Sequence, residues 1–176
     1  MHEGILRVST HRKTVMRSSL ALLSCLAALT GCQHLVYQPP AVSTPTATFT
    51  FSSHNVAVQP VVCVPGIGFR DTEFAVAREP FSSELVSELN ASLKKSKTVS
   101  VPVDATPGRV IAGFVMQQKT AGGSRKRCRV AASIPVIAER EYAVQFIHGN
   151  GHCGIEVRDA EQAALADVIV VPWQCP

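Results

Sequence analysis

Residues 109–138 read RVIAGFVMQQKTAGGSRKRCRVAASIPVIA, two apolar runs on either side of a polar segment that contains two glycines. The runs Arg109–Gln118 and Lys126–Ala138 have the length and the apolar content of buried strands. The segment KTAGGS between them favours a loop, because adjacent glycines interrupt regular structure. We therefore expect two strands, the second returning alongside the first as part of a β-meander.

An amphipathic helix is predicted upstream, where residues 80–95 read PFSSELVSELNASLKK. Apolar side chains recur there at spacings of four residues, at Phe81, Leu85, Leu89 and Leu93. The proline at the start and the two lysines at the end suit the two ends of a helix. Alternating valines predict strands on both sides of this helix, over residues 56–64 and 98–103.

Downstream, Gly149-Asn150-Gly151 separates two alternating runs, Tyr142–His148 and His152–Val157. Asn and Gly accept positive φ, so this pattern predicts a β-hairpin.

A short helix is predicted from Asp159 to Ala166, because a glutamine three residues after Asp159 allows a capping box. A last strand follows over Val168–Val171. The order of elements predicts an α+β fold, with one main amphipathic helix packed on a mostly antiparallel sheet.

The N-terminus has the pattern of a secretory signal. Met1–Arg17 carries four basic residues and one acid, and it precedes a short apolar core, Ser18–Thr30, which is too short to span a bilayer. The tetrapeptide Leu29-Thr30-Gly31-Cys32 resembles the lipobox of bacterial lipoproteins. The resemblance implies that residues 1–31 are removed as a signal peptide and that Cys32 is lipidated, which anchors the protein to a membrane.

The residues that follow Cys32 bear on the location of the protein. Gln33 stands where an aspartate would resemble the retention signal of inner-membrane lipoproteins, so the resemblance implies the outer membrane, with the domain facing the periplasm. The segment 32–55 has no Lys, Arg, Asp or Glu and is rich in Pro, Ser and Thr, which predicts an extended tether. Its stretch TATFTF alternates enough to be an added strand. A single domain is then expected over residues 56–176.

The charge balance excludes a nucleic-acid function. The chain has 17 Lys and Arg against 13 Asp and Glu, and Met1–Gly31 holds four of the former and one of the latter. The remainder is nearly neutral, so it lacks the electrostatic footprint of a nucleic-acid-binding protein.

No apolar run reaches the length of a spanning helix, which excludes a polytopic membrane protein. Because the basic region that follows Met1 is unusually long and Met16 begins a compact signal of its own, both Met1 and Met16 stay open as the start.

Four cysteines remain in the mature chain once Cys32 is lipidated: Cys63, Cys128, Cys153 and Cys175. An even number of cysteines in an oxidising compartment predicts two disulfides, for which three pairings exist. A tight turn near residues 138–141 would place Cys128 beside the hairpin that carries Cys153. We therefore favour Cys128–Cys153 together with Cys63–Cys175.

The predicted hairpin also offers possible metal ligands, since His148, His152 and Cys153 lie within six residues. Two imidazoles and a thiolate are sufficient for a zinc site, which would suit a metal-dependent enzyme or a cell-wall hydrolase. However, the spacing follows directly from a tight turn, and a disulfide-bonded Cys153 is no ligand. We expect a structural hairpin, no bound metal and no cofactor.

The only dense basic cluster lies at the start of the second strand of the opening stretch. Arg125, Arg127 and Arg129 share one face of this strand, whereas Lys126 and Cys128 lie on the other. Guanidinium groups in a row suit phosphates or carboxylates, such as those of lipopolysaccharide, peptidoglycan or an acidic protein. The alternative is an exposed edge strand whose charges prevent unwanted strand pairing.

Three segments within residues 56–118, VAVQPVVCV, SELNASLKKSKTVSV and RVIAGFVMQQ, resemble a periplasmic α/β module. This module occurs in accessory lipoproteins of outer-membrane secretion and lipid transport. The chain lacks the acidic residue that the module has just before the position of Val110. The resemblance implies an assembly or transport accessory protein.

No GxSxG, HExxH or phosphate-loop motif is present in the sequence. We therefore expect a protein without enzymatic activity, which acts as a structural or accessory component of an envelope assembly and binds an envelope protein. The alternative function is a module that binds an anionic envelope polymer, peptidoglycan or lipopolysaccharide, through Arg125, Arg127 and Arg129.

Overall fold

The computed structural model describes residues 35–54, 56–77, 94–119 and 125–176. Within these ranges the chain forms eleven strands and no α-helix. The strands are β1 (Thr46–Ser53), β2 (Gln59–Val64), β3 (Gly68–Asp71), β4 (Ala75–Val76), β5 (Lys95–Ser96), β6 (Thr98–Asp104), β7 (Arg109–Lys119), β8 (Arg125–Pro135), β9 (Glu141–Gly149), β10 (His152–Asp159) and β11 (Ile169–Val171).

Most of these strands belong to two sheets. The four-stranded sheet has the order β10-β9-β1-β6, and the five-stranded sheet has the order β11-β8-β7-β2-β3. Strand β1 pairs parallel with β9 and antiparallel with β6, whereas every pair in the five-stranded sheet is antiparallel. Strands β4 and β5 form a separate short parallel pair.

The two larger sheets share one apolar core. Phe51 on β1 and Phe114 on β7 come from different sheets, and their ring centroids are 5.4 Å apart. Phe146 on β9 also packs against Phe114, at a centroid distance of 5.4 Å. Alternate residues of each strand face this core, because successive side chains of a strand point to opposite faces. The described residues therefore form a β-sandwich.

The prediction of an α+β fold with a main amphipathic helix on one sheet is wrong, since the described part of the chain is nearly all strand. The segment predicted as that helix, residues 80–95, lies outside the described residues except at its end, where Lys95 belongs to β5. The predicted β-α-β order over residues 56–118 also fails. Strand β2 pairs antiparallel with β3 and β7, and β6 belongs to the other sheet.

The short helix predicted from Asp159 is a turn. Oδ1 of Asp159 accepts hydrogen bonds from the backbone N–H groups of Glu161 and Ala163, at 3.0 and 2.9 Å. The N–H of Leu165 then donates to the carbonyl of Val157, at 3.0 Å, so the chain folds back along β10. An aspartate side chain closes such a turn by the same hydrogen bonding with which it caps a helix, and sequence alone did not distinguish the two.

The sandwich begins before residue 56. TATFTF lies in β1, which stands between β9 and β6 within its sheet and buries Phe49 and Phe51 completely. Further upstream, Tyr37 packs against the core and donates its N–H to the carbonyl of Asp71 at 2.7 Å. Much of the segment predicted as a tether is therefore part of the folded domain.

The predicted hairpin after β9 is confirmed. Strands β9 and β10 pair antiparallel from Gly149↔His152 onward. Asn150 and Gly151 have φ values of 52° and 79°, the left-handed conformation that the sequence Asn-Gly accommodates.

Candidate functional site

The basic cluster lies on β8 with the alternation that the sequence predicts. Cys128 and Val130 pack toward the core, whereas Arg127 and Arg129 are exposed on the opposite face. Arg125 is the first residue of β8, and its side chain lies outside the described part of the structure. The outer face of the five-stranded sheet therefore presents two exposed guanidinium groups two residues apart.

Residues 172–176 cross this outer face after β11, and we call this segment the C-terminal strap. Trp173 stacks on Phe69 of β3 with ring centroids 4.3 Å apart. The guanidinium of Arg129 lies 5.7 Å from the Trp173 ring centroid, within the range of a cation–π contact. The N–H of Gly66 donates to the carbonyl of Pro176 at 2.9 Å. The strap therefore runs from β8 across the sheet to the turn beyond β2.

Beneath the strap, neighbouring strands of the sheet carry a row of residues with short or absent side chains. Val61 on β2, Gly113 on β7 and Ala131 on β8 occupy one row across the sheet. Val61 and Ala131 are each only 1 % exposed although they point away from the shared core. A Cβ added to Gly113 would lie 2.3 Å from the carbonyl oxygen of Val130. The row thus combines a close approach of β7 and β8 with a flat surface under the strap.

The structure contains the disulfide pairing that the sequence analysis favours. Cys63 of β2 is bonded to Cys175 of the strap, with Cα atoms 5.5 Å apart. Cys128 of β8 is bonded to Cys153 of β10, with Cα atoms 6.4 Å apart. The first bond fixes the strap to the outer face, and the second joins the two sheets.

Of the three hairpin residues considered as metal ligands, His152 is exposed, whereas Cys153 and His148 have other contacts. Cys153 is in a disulfide and has no thiolate to offer. The ring of His148 lies parallel to that of Phe146, with centroids 6.5 Å apart. No group of three or more His, Cys, Asp or Glu side chains that could hold a metal ion occurs in the described ranges. The geometry of this hairpin therefore gives the zinc hypothesis no support.

The surroundings of the two arginines leave their charges available. Arg127 and Arg129 take part in no ion pair among the described residues, whose ion pairs are Lys94–Glu73 and Arg158–Glu156. Strand β11 pairs with Ala131–Ser133 only, so the preceding part of β8 has no strand partner on that side in the described structure. Both hypotheses from the sequence, an anion-binding face and a charged edge, are compatible with this arrangement.

A cleft that the sequence did not predict lies where the strap ends, since Pro176 forms part of its wall. This cleft of about 360 Å³ opens between the chain before β1, the turn after β2 and the start of β7. Tyr37 and Asp104 line it, and burial, with a smaller contribution from Asp104, raises the pKa of Tyr37 to about 12. Four prolines contribute to the walls: Pro40, Pro65, Pro107 and Pro176. These residues come from separate segments of the chain, so no local sequence motif predicts the cleft.

Comparisons with known proteins identify no relative: no protein family, no curated protein and no solved structure matches the chain. No helix in the described ranges is long and apolar enough to cross a membrane. Cys32 and the predicted signal peptide lie outside those ranges. The function must therefore be argued from the site itself.

Proposed function

We propose that this protein is a lipoprotein of a bacterial outer membrane, anchored through Cys32, whose β-sandwich faces the periplasm as an accessory component of an envelope assembly. The observation that carries the proposal is that Cys63, Cys128, Cys153 and Cys175 all form disulfides. Disulfides persist in oxidising compartments such as the periplasm. A signal pattern that ends in Leu29-Thr30-Gly31-Cys32 supplies the route to that compartment.

Replacement of the lipidated residue tests the anchor. Cys32→Ser removes the sulfur that carries the lipid, so the variant should move from the membrane fraction to the soluble periplasmic fraction. Cys25→Ser, in the middle of the apolar core, is the matched control and should stay with the membrane. Normal maturation and membrane fractionation of Cys32→Ser would contradict the proposal.

The sandwich is suited to binding because its exposed features are held rigidly. The strap is fixed by a disulfide at Cys175 and by the stacking of Trp173 on Phe69, so little conformational entropy is lost when a partner contacts it. Arg129, beside Trp173, adds a charged group to an aromatic one, a combination common in protein interfaces. The strap and the adjacent part of β8 are therefore the proposed partner surface.

Site-specific photocrosslinking in intact cells tests this surface. A photoreactive residue at position 127 should give one defined adduct with an envelope protein. The same residue at Glu161, which is exposed beyond the end of β10, serves as control and should not give that adduct. Identical adduct patterns from both positions would show that the strap surface does not select a partner.

A second candidate function rests on the exposed side chains of Arg127 and Arg129, which form no ion pair with the described residues and favour an anionic polymer such as peptidoglycan or lipopolysaccharide. The double variant Arg127→Gln/Arg129→Gln should abolish salt-sensitive cosedimentation with that polymer. A variant that also removes two exposed positive charges, Lys97→Gln/Arg140→Gln, is the matched control and should retain binding. Equal loss in both variants would indicate nonspecific charge attraction.

A further inference from the structure

The first part of β8 has a free edge in the described structure. Strand β11 pairs with β8 at Ala131–Ser133 only. Pro172 would stand opposite Val130 in this register, but proline has no N–H, and the chain leaves the sheet there toward Trp173. Among the described residues, no strand or bridge pairs with Lys126–Val130 on the side away from β7. Alternate residues of this edge therefore offer backbone N–H and C=O groups to a further strand.

The side chains along this edge are cationic. Lys126, Arg127 and Arg129 are exposed, and none of them forms an ion pair with a described residue. Arg127 and Arg129 lie on the outer face, two residues or about 7 Å apart along the strand. A strand added at the edge places its own alternate side chains beside these two. Carboxylates at alternate positions of the added strand would therefore meet both guanidinium groups, which bind carboxylates through charge-assisted hydrogen bonds.

The other face of the same edge is apolar. Cys128 and Val130 pack toward the interior, and Cys128 is bonded to Cys153 of β10. Both cysteines are only half-buried, so this disulfide is not fully covered by the chain. Apolar side chains between the carboxylates of an added strand would lie on this face and lose contact with water there. The edge therefore matches a strand in which acidic and apolar residues alternate.

A second copy of the chain and the strap are both unsuitable occupants of this edge. Two β8 edges that paired with each other would bring Arg127 and Arg129 of one copy beside the cationic side chains of the other, and like charges on neighbouring strands are destabilising. The strap is directed across the sheet instead, because Cys175 is bonded to Cys63 on β2. The charges that reject a second copy are the same charges that favour an acidic strand.

We propose that the free edge of β8 binds an extended segment of another protein as an added strand, with acidic residues beside Arg127 and Arg129 and apolar residues beside Cys128 and Val130. This inference rests on the proposed function, because it names the kind of segment by which an envelope partner contacts that same surface. Affinity comes from the backbone hydrogen bonds, and selection comes from the two guanidinium groups.

A seven-residue peptide in which valine and glutamate alternate is the probe, and calorimetry measures its binding to the full-length mature protein. The peptide should bind, and a peptide with lysine in place of glutamate should not. Arg127→Glu/Arg129→Glu should weaken binding of the glutamate peptide about tenfold or more and should bind the lysine peptide instead. Lys97→Glu/Arg140→Glu also reverses two exposed charges and is the matched control, which should retain the native preference. Equal affinity of the native protein for the two peptides, or binding of neither, would overturn the proposal.

Backbone methylation distinguishes an added strand from simple charge attraction. Only alternate N–H groups of a strand face its neighbour on one side. Methylation of all valine nitrogens or of all glutamate nitrogens leaves the charges of the probe unchanged, yet only one of these two peptides should keep its binding. Equal affinities of the two methylated peptides would overturn the proposal.

Amide hydrogen exchange locates the bound strand on the protein. The glutamate peptide should slow exchange at alternate amides within Lys126–Val130, where the free edge leaves them exposed to solvent. Strand β10 is the edge strand of the other sheet, and its outward-facing amides are the control, which should not change. Slower exchange on β10 without any change on β8 would overturn the assignment to the β8 edge.

The crosslinking experiment at position 127 separates this inference from the proposed function. A defined envelope adduct at that position, together with no binding of the glutamate peptide, would leave the proposed function standing and refute the added strand. Selective peptide binding with alternate amide protection, but with no adduct in cells, would support the added strand and refute the envelope partner.

Discussion

Trp173 stacks on Phe69 at a centroid distance of 4.3 Å, and this contact joins the C-terminal strap to β3, at the far side of the sheet from β11. The strap leaves the sheet at one edge and ends over the other, so it covers the row of small residues between them. Val61 and Ala131, on the face that the strap crosses, are buried although they face away from the core. A tail of five residues thereby acts as a partial third layer of the fold.

Removal of the Trp173 ring should destabilise the protein without unfolding it. Trp173→Ala deletes the stacking contact and uncovers apolar surface, which we expect to lower the free energy of unfolding by about 2 kcal/mol, because the ring is only half-buried. Trp173→Phe retains a ring and should lose less than half of that. Urea denaturation under non-reducing conditions measures both values. An alanine variant as stable as the native protein would show that the strap is held by its disulfide alone.

The two disulfides should contribute unequally. Cys63–Cys175 closes a loop with a sequence separation of 112, and Cys128–Cys153 one of 25. Loop-closure entropy predicts a loss of about 5 kcal/mol for the double serine variant of the first pair and about 3.5 kcal/mol for that of the second. Denaturation of the two variants measures the difference. The opposite order would mean that native-state packing around Cys128 and Cys153 outweighs chain entropy.

The hairpin, and which residues of β8 face the core, could be predicted from the sequence because each depends on local alternation or on a turn. The disulfide pairing was also predicted, although the predicted β-meander is wrong beyond β8, since β8 and β9 belong to different sheets. Cys128 and Cys153 are placed together by the strands and turns between them. The prediction of a helix from Asp159 was wrong because an aspartate side chain closes a turn with the same hydrogen bonds with which it caps a helix. The strap and the cleft depend on contacts between distant segments, such as Tyr37 with Pro102, and no periodicity in the sequence encodes those.

Gly113 should be intolerant of any side chain. A Cβ at this position would lie 2.3 Å from the Val130 carbonyl oxygen and 3.0 Å from the Ala131 Cα, and both are backbone atoms that cannot rotate away. Gly113→Ala should therefore lower the free energy of unfolding by about 2–3 kcal/mol, the upper part of the range for overpacking. Gly154→Ala on β10 is the matched control, since an added Cβ there meets no atom within 4 Å. Equal stability of the two variants would contradict the close approach of β7 and β8.

Tyr37 should make stability depend on pH in the alkaline range. Its pKa is raised from 10.0 to about 12, by burial first and by Asp104 second, so the folded state retains a proton that the unfolded state loses. The stability that this group contributes is therefore fully present below pH 10 and is lost as the pH rises from about 10 to about 12. Tyr37→Phe cannot ionise and loses only the hydrogen bond to Pro102, which lowers stability at neutral pH by about 1 kcal/mol. The free energies of unfolding of the two proteins should thus converge as the pH rises through this window. Chemical denaturation from about pH 8, below both pKa values, to about pH 11, between them, measures the convergence. Parallel pH profiles would show that Tyr37 ionises as freely in the folded state as in the unfolded one.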